Sequence, residues 1–384
     1  MTGPRVLFIN HTSTMSGAEL VLADVVRAWR GATAFLFEDG PLNAAMAGCG
    51  LRVERARAGG GLTGLRRSSS PLRALPMAGR LAALVLEIAG RARRADVIYA
   101  NSQKAFVLGA LATGIVRRPL IWHLHDIIDP LHFGTAQRRL QVGLANARAT
   151  CVIAPSTAVA DAFVAAGGRR DRVAIVPNGL DLVPDPRSRA ELRRAAGLPS
   201  GLLVGVFSRL ASWKGQHVLL HALAELPGVG AVVAGAPLFG EDAYAAELVR
   251  LAAELGIADR VHFLGQRSDV ALLMQAVEVV VHPSIHPEPF GRTLVEAMLA
   301  GVPLVATRTG AAAEILDEGA FGTLVPPGDA AALAEGIRRI LAGNAGGATQ
   351  VAAASERART RYGADGMRDA IAGIIRRVAE GGRA

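Results

Sequence analysis

Glu288 and Glu296 lie eight residues apart, on either side of what reads as the start of a helix. Residues 282–303 run His-Pro-Ser-Ile-His-Pro-Glu-Pro-Phe-Gly-Arg-Thr-Leu-Val-Glu-Ala-Met-Leu-Ala-Gly-Val-Pro. Prolines bound the loop that holds Glu288. Gly291 and Thr293 open a helix that carries Glu296 and stops at Gly301, with Pro303 just beyond. First-turn amides have no intrahelical acceptor and sit at the positive end of the macrodipole, so they can bind a phosphate. One carboxylate then stands on each side of that phosphate, ready to accept hydrogen bonds from hydroxyls. Such a layout suits a nucleotide sugar, with its diphosphate between a hexose and a ribose.

Two lysines stand out because 40 of the 42 basic residues are arginine. Lys104 and Lys214 are the exceptions, and a compact ammonium makes a better point contact with a phosphate where a planar fork does not fit. Lys214 follows Phe207-Ser208-Arg209-Leu210, which ends a strand, and Trp213-Lys214-Gly215 opens the next helix. Elsewhere Trp122-His123-Leu124-His125-Asp126 closes a strand. Residues two apart share a strand face, which puts His123 and His125 together with His125 nearer the carboxyl end. No Asp-x-Asp pair or Walker motif is present, the turn Ser16-Gly17-Ala18-Glu19 is not Gly-x-Gly-x-x-Gly, and no further ligand cluster makes His-x-His-Asp a metal site.

Taken as one string, Glu-Pro-Phe-Gly-x-Thr-Leu-Val-Glu-Ala-Met-x-x-Gly-x-Pro resembles the donor-site motif of the family 4 glycosyltransferases, retaining enzymes of the GT-B fold. The resemblance runs over nearly the whole chain and is sharpest from 202 to 340. It implies that Glu288 binds hexose hydroxyls and Glu296 the ribose diol. Phe290, Gly291, Arg292, Thr293 and Leu294 would complete the donor loop. Arg209 and Lys214 resemble the pair that holds the donor diphosphate, although Ser208 stands where the family usually has Gly. Ser16-Gly17-Ala18-Glu19 resembles the family's Gly-Gly-x-Glu turn, of which Gly17 is carried over. His125 resembles the cleft histidine that contacts the transferred sugar, while His123 reads as structural. Gln266 and Arg267 fall where relatives contact the base. Asn101, Ser102 and Asp126 are expected on the acceptor side. Thr309, Gly310 and Glu314 stand where the family has a different turn.

The expected reaction moves a hexose from a UDP- or GDP-sugar to a glycan, lipid-linked or small-molecule hydroxyl. It proceeds with retention and with no metal or other cofactor, and nucleic acid is not an expected partner. A non-hydrolysing nucleotide-sugar epimerase shares this fold, and a catalytically silent binding protein is the alternative from another class. The epimerase would need several titratable groups around the sugar, where only one histidine is seen.

These residues need a scaffold, and the chain spells one. Strands Arg5–Asn10, Ala34–Phe37, Arg52–Glu54, Val97–Ala100, Leu120–Leu124, Thr150–Ala154 and Val173–Val176 alternate with helices such as Gly17–Trp29, Leu81–Arg93 and Ala158–Ala166. A second such series runs from 202 to 341. Repeated strand–helix alternation predicts an α/β protein with two Rossmann-like, doubly wound parallel sheets, which in GT-B enzymes face a central cleft. The expected domains are 1–184 for the acceptor, a linker over 185–200, and 201–350 for the donor. The tail 351–384 should cross back to the first domain.

Residues 1–184 carry 22 Arg or Lys against 12 Asp or Glu, and residues 185–384 carry 20 against 21. The halves are therefore +10 and −1, within a total of +9. An anionic partner such as a membrane surface accounts for this, and so does mutational bias toward arginine codons. Residues 57–80 interleave Arg66, Arg67, Arg73 and Arg80 with Leu62, Leu65, Leu72 and Met77, which suits either contact with an anionic membrane or a solvated insertion. No apolar run reaches the roughly 20 residues of a membrane helix. Without a secretory signal, and with only Cys49 and Cys151 as cysteines, the expected location is cytoplasmic, including the inner face of the membrane.

Overall fold

The computed structural model describes residues 3–58, 75–238 and 240–382. The chain divides into two compact units, Met1–Gly179 with Ala364–Ala384, and Leu180–Gly363.

Unit 1 begins β1 (Val6–Asn10), α1 (Gly17–Val26), β2 (Thr33–Leu36), α2 (Pro41–Gly48), β3 (Arg52–Arg55) and α3 (Leu75–Ala92). It continues β4 (Val97–Ala100), α4 (Gln103–Val116), β5 (Leu120–His123), α5 (Thr135–Arg148), β6 (Cys151–Ala154), α6 (Thr157–Ala165) and β7 (Val173–Ile175). Among the described residues the sheet has seven strands in the order β3-β2-β1-β4-β5-β6-β7, all parallel. Both faces are covered, so the inner strands β1, β4, β5 and β6 read as nearly continuous apolar runs, while the edge strand β3 reads Arg-Val-Glu-Arg. Leu7 and Ile9 face α3, α4, α5 and α6, while Val6 and Phe8 face α1 and α2. Trp122 stacks on Phe106 with centroids 4.0 Å apart.

Unit 2 runs α7 (Arg189–Ala196), β8 (Leu202–Phe207), α8 (Gln216–Ala224), β9 (Val229–Ala234), α9 (Asp242–Glu254), β10 (Val261–Gly265) and α10 (Val270–Gln275). Then come β11 (Val279–His282), α11 (Arg292–Ala300), β12 (Leu304–Thr307), α12 (Ala312–Ile315), β13 (Thr323–Val325), α13 (Ala330–Leu341) and α14 (Ala348–Tyr362). Its strands are parallel in the order β10-β9-β8-β11-β12-β13. Two Rossmann-like units with parallel sheets make this the GT-B fold class that the sequence predicts.

Boundaries differ from the sequence expectation in three places. The sequence predicts a linker over segment 185–200. That segment instead carries α7, closed by a Ser188–Glu191 capping box and packed on α10, and belongs to unit 2. The tail splits at Gly363. Helix α14 stays with unit 2, where Ala354, Ala358 and Tyr362 pack beside α11, while α15 (Ala364–Ala379) joins unit 1. Met367, Ile371, Ile375 and Val378 complete the apolar layer of α1 and Phe8. Helix α3 starts at Leu75, so the expected loop over 57–80 is helical in its last turns. Arg66, Arg67, Arg73, Leu62, Leu65 and Leu72 lie outside the described residues, as does the side chain of Met77. No helix of the described residues is long and apolar enough to cross a membrane.

Ile371 is fully buried against the α1 face. Ile371→Ala should cost about 2–5 kcal/mol, lowering the urea midpoint of unit 1 and leaving unit 2 unchanged. Arg376→Ala, on the exposed side of the same helix, should stay within about 0.5 kcal/mol of wild type.

Candidate active site

In a doubly wound sheet, ligands bind beyond the carboxyl ends of the strands where the strand order reverses. The reversals fall between β1 and β4 in unit 1 and between β8 and β11 in unit 2. Gly17 follows β1, Asn101 and Ser102 follow β4, Arg209 and Lys214 follow β8, and Glu288 to Glu296 follow β11. These residues thus lie at the two reversal points, while His125 and Asp126 follow β5, Gln266 and Arg267 follow β10, and Thr309 and Gly310 follow β12.

In unit 2, Glu288 is only 5% exposed. Its Oε1 takes an ion-paired hydrogen bond from Lys214 Nζ and another from Ser284 Oγ at 2.8 Å, with His282 Nε2 at 3.5 Å. Burial pushes the Glu288 carboxyl up, but the Lys214 charge, His282 and these hydrogen bonds outweigh it and hold the group at about 2. Burial also pushes the His282 imidazole down to about 4, so it is neutral at pH 7. Ser284 and His282 were assigned no role from sequence. Their only signal was position, four and six residues before Glu288.

Lys214 reaches Glu288 because the loops after β8 and β11 are stitched together. Ile285 N donates to the Trp213 carbonyl at 2.9 Å. Gly215 adopts φ +71°, and a Cβ there would lie 2.0 Å from the Pro283 carbonyl oxygen. Only glycine permits that backbone approach. Lys214 Nζ and Arg209 Cζ both lie over the Trp213 ring, at 4.3 and 5.2 Å from its centroid. Ser208, in place of the expected glycine, accepts a hydrogen bond from buried Gln216 at 2.9 Å, and the Arg209 carbonyl accepts another at 3.0 Å.

From the other side, Gly310 supports Glu288. At φ +56° its Cβ position lies 2.2 Å from the Glu288 oxygen and 2.3 Å from the Glu288 nitrogen. Ala311 N donates to that oxygen at 3.0 Å, and Thr307 Oγ1 donates to the Ser284 carbonyl at 2.5 Å. The Thr309-Gly310 turn is therefore a buttress for the carboxylate loop, and Glu314 lies in the short α12 that follows.

Helix α11 starts at Gly291 with φ +80° and no side-chain cap, which leaves main-chain amides to meet an anion. Thr293 Oγ1 is committed to the Phe207 carbonyl at 3.1 Å, tying the helix to the end of β8. Arg292 pairs with Glu296 one turn on, at 3.4 Å. Two side chains of the expected donor loop point inward. The Phe290 ring packs edge-on against Tyr362 at 5.7 Å, and Leu294 lies in the same core, because α11 buries that face beneath α14. At the end of β10, Gln266 is exposed, and Arg267 forms a two-pronged pair with Asp269 at 2.8 and 2.6 Å.

In unit 1, Asn101 is fully buried and its Nδ2 donates to the Ala18 carbonyl at 3.2 Å. Its Oδ1 must then accept, so His125 Nε2, 2.9 Å away, carries the proton and Nδ1 is bare. Burial holds His125 at about 3. The His123 ring lies 3.9 Å from that of His125, and its Nδ1 meets the Tyr99 hydroxyl at 2.5 Å, a packed and structural position. Asp126 accepts from Gln103 at 2.8 Å. Ser102 caps α4 and meets His11 Nδ1 at 2.8 Å; burial and Lys104 push His11, which the sequence did not single out, down to about 4. Gly17 has no positive φ and nothing within 4 Å of its Cβ position, so no packing demand explains it. Among the described residues no group of three or more His, Cys, Asp or Glu is placed to hold a metal ion.

Residues 16–179 match the model of the glycosyl transferase 4-like domain, and residues 188–361 match that of glycosyl transferases group 1. The D-inositol 3-phosphate glycosyltransferase of Mycobacterium marinum is 39% identical over 212 residues, 54% of this chain and 45% of that protein. The chain thus aligns with less than half the length of this curated relative. A crystal structure of Anabaena Alr3699/HepE in complex with UDP and glucose is 39% identical, covering 97% of this chain and 99% of that one, with a TM-score of 0.87. A complex of the same protein with UDP-glucose matches equally well. Sucrose-phosphate synthase from Thermosynechococcus elongatus, at 20% identity and a TM-score of 0.81 over 98% of this chain and all of that one, shares the fold. The chain belongs to the glycosyl transferases group 1.

Gly310→Ala forces a Cβ into the Glu288 backbone and should destabilise unit 2 by about 2 kcal/mol or more. Gly347→Ala, whose Cβ meets nothing, should be within about 0.5 kcal/mol of wild type by urea unfolding.

The buried histidines set the acid response. Their folded values lie below the ordinary 6.5, at about 4 for His11 and His282 and about 3 for His125. Between pH 6.5 and 4 the unfolded chain therefore binds protons that the folded chain refuses, and stability falls as pH drops. Glu288, at about 2, extends the loss below pH 4.5. Replacing His282 by Asn should remove about 3 kcal/mol of the pH dependence of unit 2 between pH 7 and 4. Unchanged slopes in urea titrations would contradict its neutral burial.

Proposed function

We propose that the chain is a retaining hexosyltransferase that moves a hexose, glucose first among candidates, from a UDP-sugar to an acceptor hydroxyl without a metal ion. The observation that carries this reading is the buried Lys214–Glu288 pair beside Arg209 at the uncapped start of α11. Donor choice is supported by the Anabaena relative, similar along its whole length and solved with UDP-glucose. D-inositol 3-phosphate belongs to relatives matched over less than half their length, so the acceptor is proposed only as an alcohol.

Breaking the bond between the anomeric carbon and the diphosphate oxygen leaves negative charge on the diphosphate. Lys214, Arg209 and the first amides of α11 offset that charge as it develops. Glu288, kept ionised by its surroundings, accepts hydrogen bonds from hexose hydroxyls, and Glu296 accepts them from the ribose diol. The acceptor oxygen forms its bond on the face the diphosphate leaves, and the departing phosphate oxygen takes the acceptor's proton. His125 is neutral over the working pH range, so it serves as a hydrogen-bonding group and not as an acid.

With UDP-glucose as donor, Lys214→Ala should lower kcat about 100-fold or more, because the lost contact strengthens as the leaving group departs. Wild-type activity should survive EDTA, and the product's anomeric configuration by NMR should equal the donor's. An inverted product, or activity that EDTA abolishes and magnesium restores, would overturn the mechanism. Conversion of UDP-glucose to an isomeric nucleotide sugar without transfer would identify an epimerase instead.

A further inference from the structure

The positive charge of unit 1 is unevenly placed. Arg5, Arg93, Arg94, Arg117, Arg118 and Arg148 each stand within four residues of a strand start, so they gather along the amino edge of the sheet. Among the described residues the carboxyl edge, where the candidate site lies, mixes Glu19, Glu38, Asp39, Asp126 and Asp129 with Lys104 and Arg57. Among the described residues no carboxylate forms an ion pair with Arg93, Arg94, Arg117 or Arg148, and all four are exposed.

An apolar surface adjoins this edge. Helix α3 packs on α4 and α4 on α5, all on one face of the sheet. Their outward sides present Leu86, 63% exposed, Leu111 and Ile115, each 49% exposed, and Leu140, 54% exposed. Leu111 and Ile115 are one turn apart, with half-buried Val107 a turn before them, so α4 carries an aliphatic stripe that ends at Arg117 and Arg118. A cavity of about 550 Å³ opens on the same edge beside Leu86 and Arg94, and there Glu54 and Glu87 pair with Arg52 and Arg91.

We infer that the α3–α4–α5 face of unit 1 docks on an anionic lipid bilayer, its leucines entering the acyl boundary and its helix-end arginines meeting lipid phosphates. Aliphatic groups beside a row of guanidinium groups match the two layers of such a surface. A nucleic acid would fit less well. Among the described residues none of the large exposed apolar side chains is aromatic, so no base-stacking platform accompanies the charge. The inference is independent of the proposed reaction, because none of these residues belongs to the donor site.

Co-sedimentation tests it. The protein should pellet with vesicles of equal parts phosphatidylglycerol and phosphatidylcholine at low salt, and remain in solution with phosphatidylcholine alone. Binding should fade at 1 M salt, where the Debye length is about 3 Å. Each arginine near such a surface contributes roughly fivefold in affinity, so Arg94→Gln/Arg117→Gln/Arg148→Gln should weaken binding about 100-fold. The exposed-face variant Leu111→Ser/Ile115→Ser should weaken it at least about tenfold. Both should keep wild-type melting temperatures and UDP-glucose turnover. Equal affinity of wild type and both variants, or no binding to the anionic vesicles, overturns the inference. Preference for a single-stranded oligonucleotide over these vesicles would assign the arginines to nucleic acid. A concentration-dependent dimer abolished by the serine variant would assign the face to a second copy.

Discussion

A carboxylate that is only 5% exposed cannot remain ionised without close partners. Glu288 meets that condition through Lys214, Ser284 and His282, which converge on one of its oxygens. Much of unit 2 near the site serves this arrangement. Gly215 lets the Lys214 loop rest on the Pro283 carbonyl, Gly310 lets the opposite turn rest on the Glu288 backbone, and Thr307 ties the segment between. The same cluster leaves a cation and an uncapped helix start next to each other, so structural necessity and anion chemistry coincide at one place.

Unit 1 follows a different electrostatic logic at its own reversal point. Its polar groups are paired as neutral donors and acceptors: Asn101 with Ala18 and His125, Ser102 with His11, Tyr99 with His123. Burial keeps these histidines uncharged. Among the described residues, exposed Arg93, Arg94, Arg117 and Arg148 stand instead at the amino edge of the sheet, away from these groups. One sheet thus has a largely buried cluster of neutral polar groups at one edge and exposed arginines at the other.

Comparison with relatives narrows the chemistry without supplying every part of it. Similarity along the whole length of the Anabaena protein supports a shared architecture and donor class. The curated relatives match over a shorter stretch, 45% of the first one's length.

The amino-acid sequence by itself determined the alternation of strands and helices, because apolar runs and Gly/Pro punctuation are local signals. It also determined the helix start at Gly291, its stop at Gly301, and the candidacy of Glu288, Glu296, Arg209 and Lys214. Tertiary structure decided what those side chains touch. Lys214 and Glu288 are 74 residues apart, and their contact exists only because β8 and β11 are neighbours in the sheet. Phe290 and Leu294 sit inside the same motif yet turn into the core, since the packing of α14 chooses which face of α11 is buried. Sequence marks Gly310 as part of a turn that departs from the family's, and only the structure sets it against the Glu288 backbone. The split of the tail at Gly363 has the same origin: both helices are apolar on one side, and only the unfilled face beside α1 and Phe8 determines that α15 joins unit 1.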